Sequence, residues 1–295
     1  MSTVVRKPRM DALAASILIT FNIILGLNQA LVKVVNAGFS PVFQAGLRSI
    51  CAIVPVLAFA LLMRRRVSIT DGSLPLGLLN GLLFSIEFSL LFLALDYTTV
   101  ARVSLLFYTM PFWVGLAAHF LFPGERLTVA RSAGLLLALG GVALVLTEEG
   151  VSAGEQAWIG DLLALAAALA WGSIALLTRG TRLSEVTPEM NLLYQLGVSA
   201  VVLTVAAALL GDMVREPTST IYAVFAFQVI VVVAIGFSVW FWILSIYPVS
   251  NMASFSLLAP VCGVFFGALI FDEVISATFI AALALVVSGI VLVNR

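Results

Sequence analysis

Charge is what this sequence has least of. Aspartate, glutamate, lysine and arginine make up 10% of the 295 residues, where a soluble domain carries roughly 25%. That excludes a water-bathed surface of ordinary extent. Fifteen basic and fifteen acidic residues cancel, so no net field draws the chain to nucleic acid, and no nucleic-acid partner is expected. Histidine occurs once, as His119, so the H-E-x-x-H pair of a metalloprotease cannot be assembled. No nucleophile elbow is expected either. Cys51 and Cys262 stand far apart in apolar runs and read as small core residues, not as a redox or metal pair. No catalytic residue, metal site or cofactor is expected, and an intramembrane enzyme stays a rival class without a motif behind it.

What is present is apolar. Hydrophobic residues make up 62% of the chain and the mean hydropathy is +1.16, which points to an integral membrane protein embedded in the lipid bilayer. A membrane-crossing helix needs roughly 20 mainly apolar residues. Ten segments qualify, near 12–35, 41–63, 74–95, 103–122, 130–147, 158–178, 188–210, 221–245, 252–271 and 275–293. The loops between them are short and hold no soluble domain. The basic-then-apolar start resembles a signal peptide, but its apolar run has the length of a span, so an uncleaved first helix is expected. Lysine and arginine then set direction. One side collects Arg6, Lys7, Arg9, Arg64, Arg65, Arg66, Arg126, Arg131, Arg179, Arg182 and Arg295; the other has only Lys33, Arg102 and Arg215. Both termini are therefore expected in the cytoplasm.

The chain also repeats itself. "SPVFQAGLR" (40–48) aligns with "TPEMNLLYQ" (187–195), "LGLNQALVK" (25–33) with "WGSIALLTR" (171–179), and the Pro111 region with the Pro260 region. This divides the chain into 1–150 and 151–295, five spans each. A duplicated unit with an odd number of spans enters the membrane upside down. Inverted repeats about a mid-membrane axis, with a substrate cavity between them, are a recurring plan of secondary transporters.

The stretch "ALDYTTVARVSLLFYTMPFWVGLAAHFLFPGERLT" resembles the hallmark segment of the drug/metabolite transporter superfamily, in its ten-span EamA-domain branch. Its marks are a Tyr-Thr pair after the third span, a proline within the fourth and a Gly-Glu-Arg turn. The second half keeps Tyr247, Pro260 and Glu273 but lacks the glycine and arginine. The resemblance implies an all-α protein of the bacterial inner membrane, most similar to exporters of aromatic and other neutral amino acids.

The polar residues inside the spans supply candidate cavity positions. Glu87 lies mid-span, where charge is costly, and Asn80, Phe84, Glu87 and Leu91 share one helical face. Asn22, Gly26, Gln29 and Lys33 form a second stripe that lipid would penalise, with Lys33 expected to snorkel outward. The one-turn pairs Gln44/Arg48 and Asn191/Gln195 occupy matching places in the two halves and read as structural. Tyr108, Trp171, Phe237 and Trp240 lie too deep for an interfacial belt and suit a ring-lined pocket. Packing is the competing account of each. Pro111 and Pro260 are candidate hinges. The expected function is export of aromatic and other neutral amino acids, or similar amphipathic metabolites, by alternating access in a monomer. The competing reading is a multidrug or organic-cation exporter with Glu87 as its proton-coupled base.

Overall fold

The computed structural model describes residues 12–122, 128–147, 154–211, 213–237, 239, 243 and 255–293. Helices account for nearly all of it: α1 (Ala12–Asn36), α2 (Pro41–Leu62), α3 (Leu74–Tyr97), α4 (Val100–Phe107), α5 (Met110–Leu121), α6 (Val129–Thr147), α7 (Ala157–Gly180), α8 (Pro188–Leu210), α9 (Ser219–Phe227), α10 (Leu258–Phe271) and α11 (Ala277–Val293). A 3₁₀ turn, Arg182–Glu185, links α7 to α8, and α9 runs on as a wider π-helical stretch, Gln228–Phe237. The β structure among the described residues is a single bridge between Phe39 and Val214.

Local chemistry explains where the helices start. Proline opens α2, α3, α5 and α8 within the first turn, where its missing N–H would have no helical partner. Thr99, Thr187 and Thr218 cap α4, α8 and α9, each hydroxyl accepting a first-turn backbone N–H. Among the described residues eight stretches are long and apolar enough to cross a bilayer, with α4–α5 counted as one and α9 joined to its π-helical continuation up to Gly236. α10 and the Ala277–Leu292 part of α11 are apolar but shorter.

Many large apolar side chains point outward, among them Val54, Leu62, Leu136, Leu209, Phe265 and Ile280. A soluble fold would bury such a surface; lipid tails accept it. Association between the helices then relies on close packing at small residues. α6 meets α11 where a Cβ on Gly289 would sit 2.6 Å from the Gly134 carbonyl oxygen and one on Gly141 2.6 Å from that of Ala282. In the "GLLNG" segment of α3, Gly77 lies under the Tyr194 ring and Gly81 against Val198 of α8. α2 also packs on α8, α3 on α7, and α1 on α10. α4 sits at the centre, with all eight of its residues buried.

Two expectations are corrected. The fourth span is broken, because α4 ends at Phe107 and a turn at Tyr108–Thr109 precedes α5. Pro111 therefore starts a helix instead of bending one. Pro260 likewise lies in the first turn of α10, after a 3₁₀ turn at Phe255–Leu257. The spelling "GVSAG" (150–154) fits G-x-S-x-G, yet helix α6 precedes it where that motif needs a strand.

Candidate functional site

α2 and α3 bring two charges into the bundle. Glu87 is 4% exposed and Arg48 7%, and each is the charge acting electrostatically on the other. They do not close to an ion pair, and among the described residues Glu87 has no hydrogen-bond partner. Arg48 donates from Nη1 to Asn28 Oδ1 at 3.5 Å and lies over the rings of Phe88 and Phe92, 5.1 and 5.3 Å from their centroids. Those rings continue a ladder along α3: Phe84 and Phe88 are 4.2 Å apart, Phe88 and Phe92 5.5 Å. Four-residue spacing stacks them on one face. A small cavity of about 10 Å³ opens here, bounded by Arg48, Ser49, Ala52, Phe84, Phe88, Leu192, Leu196 and Val233; that is room for one water molecule.

A second aromatic group forms around the α4–α5 break. Phe107 stacks on Trp171 of α7 at 4.8 Å and 11°, and Tyr108 meets both rings edge-on at 5.6 and 6.0 Å. The α4–α5 turn makes this arrangement, since it lets neighbouring residues face one indole. The Tyr108 phenol lies beside Gln29 of α1 and Cys262 of α10. No bond of standard length and angle closes to Gln29, whose Oε1 has no partner among the described residues.

The remaining candidates fall elsewhere. Asn22 is buried and donates to the Leu18 carbonyl oxygen of its own helix at 2.8 Å. Asn80 is fully buried with neither side-chain polar atom bonded. The backbone of Phe237 ends the π-helical stretch; its side chain and all of Trp240 lie outside the described residues. The pairs that matched in sequence diverge in contact: Gln44 donates to Gln228 at 3.4 Å, and Asn191 to the Leu183 carbonyl oxygen at 3.1 Å.

One end of the bundle is laced by ions. Arg102 holds Asp161 of α7 through Nε and Nη2, and Thr98 Oγ1 donates to the same carboxylate at 3.3 Å. Lys33 does not snorkel: Nζ donates to the Thr98 carbonyl oxygen at 2.7 Å and stands 3.7 Å from Glu273. Arg215 grips Asp96 with two bonds of 2.9 and 2.7 Å. Lys33, Arg102 and Arg215 are the three basic residues that the charge count had set apart. At the opposite end Arg65 meets Glu189 at 3.2 Å. Asp161 and Asp96 were not singled out from the sequence, although Asp161 stands out as a charge inside the apolar run "IGDLLALAAA", and Glu273 was marked only as part of the repeated pattern.

Among the described residues no three His, Cys, Asp or Glu side chains gather as metal ligands. Arg48 and Glu87, with aromatic walls, are suited to holding a small molecule non-covalently. The comparisons agree with that character. The model of the EamA-like transporter family matches twice, over residues 12–147 and 158–295. The chain is 27% identical to the "Uncharacterized transporter YoaV" of Bacillus subtilis, covering 92% of this chain and 94% of the relative. It is 28% identical to a "Probable amino-acid metabolite efflux pump" of Escherichia coli, covering 96% and 94%. A solved crystal structure superposes with a TM-score of 0.66 at 22% identity over 96% of both chains, which concerns the fold alone. Those relatives are transporters and not enzymes, and the chain is a multi-pass membrane protein that belongs to the EamA-like transporter family.

Proposed function

We propose that this protein exports aromatic and other neutral amino acids, or closely similar metabolites, by alternating access. The observation that carries the reading is the α2–α3 site, where a buried carboxylate and a buried guanidinium stand without closing an ion pair beside a ladder of phenylalanine rings. Flat rings suit such a wall. The names of the E. coli and Salmonella typhimurium relatives, both "Probable amino-acid metabolite efflux pump", support the same substrate class. An organic-cation exporter fits less well, because Arg48 would repel its cargo from the cavity wall.

The mechanism proposed is rocking of two inverted five-span repeats, 1–150 and 151–295, within ten spans. The double family match supports the duplication. Helix pairing supports the two-fold relation: α2 packs on its counterpart α8 and α6 on α11, while α3–α7 is mirrored by α9–α1 and α1–α10 by α7–α5. In this reading both termini face the cytoplasm of a bacterial cell, the chain sits in the inner membrane as a monomer, and the ion-laced end faces outward. The turns before Pro111 and Pro260 are the hinges. Asn22, Gln29, Phe84, Glu87, Tyr108, Trp171, Phe237 and Trp240 line the route. The small cavity supports a closed conformation, in which substrate space opens only when the halves move.

Counterflow in proteoliposomes tests this function. Labelled phenylalanine and threonine should exchange above empty liposomes, and a labelled organic dication should not. Exchange of the dication alone would transfer the protein to the competing class.

A further inference from the structure

Arg48 and Glu87 pose a problem that packing does not solve. Each is buried, each acts on the other, and yet no ion pair closes between them. A structural ion pair inside a protein closes to hydrogen-bond contact, because only short, well-aligned bonds offset the loss of water. Among the described residues the guanidinium makes one long bond, to Asn28, and otherwise rests on Phe88 and Phe92. The carboxylate has no hydrogen-bond partner among the described residues. The small cavity adjoins the guanidinium, with Ser49, Phe84, Phe88, Leu192 and Val233 around it.

We propose that Arg48 and Glu87 form a clamp for the zwitterionic head of an α-amino acid. Arg48 takes the α-carboxylate and Glu87 takes the α-ammonium, while the substrate side chain lies against Phe84 and Phe88. This rests on the amino-acid reading above and deepens it by assigning Arg48, a residue that the sequence pattern had marked as structural. A substrate bearing opposite charges on groups attached to one carbon fits the arrangement in three respects. Its carboxylate matches the fork of a guanidinium. Its ammonium matches a carboxylate that has no hydrogen-bond donor among the described residues. Its neutral sum leaves the buried site without net charge, which neither an amine nor a carboxylic acid alone would do. Apolar walls of phenylalanine, leucine and valine accept an aromatic or aliphatic side chain and do not choose finely among them.

Three probes separate the two halves of the clamp: L-phenylalanine, 2-phenylethylamine, which lacks the carboxylate, and 3-phenylpropanoate, which lacks the ammonium. Counterflow in proteoliposomes and ligand-induced shifts of melting temperature in detergent supply two readouts. The parent protein should favour phenylalanine over both analogues by about tenfold or more, since a site built to bond a polar group rejects the analogue without it. Glu87→Gln should narrow the gap to 3-phenylpropanoate, and Arg48→Gln the gap to 2-phenylethylamine. Arg48→Lys should keep the parent ranking. If Arg48→Gln does not fold, Glu87→Gln and Arg48→Lys still decide the matter, because a gain for one analogue cannot come from damage to the fold. Equal handling of the three probes by the parent, or a proportional loss for all three in the variants, overturns the clamp and leaves amino-acid export standing. Absence of any response to all three overturns both.

Discussion

Glu273, in the loop after α10, accepts the backbone N–H of Val100 through Oε1 at 2.7 Å, while its other oxygen takes the N–H of Ala101 at 2.9 Å. One carboxylate thus closes the start of α4 from the far half of the chain. The positive end of the helix dipole and two otherwise unbonded donors meet one negative group. Asp272, in a left-handed conformation at φ 52°, turns the chain so that Glu273 points inward. Removing this acceptor from a buried place should destabilise the protein by about 2 kcal/mol. Glu273→Ala should therefore melt well below the parent in detergent, and Glu273→Gln, which keeps one acceptor oxygen, in between. Equal melting of all three would mean that α4 is capped by some other group.

Arg102 and Asp161 tie α4 to α7 in a buried, two-pronged pair. Arg102→Leu alone leaves an uncompensated carboxylate and should cost about 3–5 kcal/mol, whereas Arg102→Leu with Asp161→Leu should cost less than the two single losses summed. A double-mutant cycle on melting free energies measures the coupling. Additive losses would show that the pair contributes nothing as a pair.

Gly81 faces α8 with no room for a side chain: an added Cβ would lie 2.5 Å from Val198 Cβ and 2.6 Å from the Tyr194 carbonyl oxygen. Gly197, by contrast, has nothing within 4 Å. Gly81→Ala should destabilise by about 1–3 kcal/mol through overpacking, and Gly197→Ala should not. If both alanines melt alike, close contact at the α3–α8 seam is not what holds those helices together.

Asp71, in the loop before α3, accepts the Ser73 hydroxyl at 2.6 Å and the Ser73 N–H at 3.0 Å. Chiefly the hydroxyl, then the N–H, holds its carboxyl below the usual carboxylate range. A carboxyl whose folded value is lowered adds stability above its unfolded value of about 3.9 and loses it as pH falls through the folded one. Asp71→Asn should therefore melt below the parent at neutral pH, with the difference shrinking in acid below the unfolded value. A difference that does not change with pH would rule out the charged form as its source.

Much of the fold was legible because lipid imposes a simple rule on sequence. Runs of apolar residues near span length, ended by charges and prolines, located the eight span-length stretches among the described residues, and Pro41, Pro75 and Pro188 stand where helices start. The stripe Asn22–Gly26–Gln29 and the face Asn80–Phe84–Glu87–Leu91 are buried as their spacing suggested. The break at Tyr108 was not legible. Hydropathy runs unbroken through "LLFYTMPFW", and a proline inside a span reads equally as a kink or as a new start. Phe88 and Phe92 escaped notice because a phenylalanine facing a cation and one facing lipid look the same in a list.

The sequence by itself determined that the chain lives in the membrane and which residues are too polar to face lipid. Membrane residence and the lipid-averse positions follow from the solvation cost of each residue summed along a helix, a local quantity. Only the tertiary structure decided the partners. It put Lys33 against Thr98 and Glu273, Arg102 against Asp161, and Arg48 over two rings without an ion pair to Glu87. Which charges meet depends on the rotation and depth of helices distant in the chain. Those are set by contacts such as Gly81 on Val198 and Gly289 on Gly134, which no local pattern records.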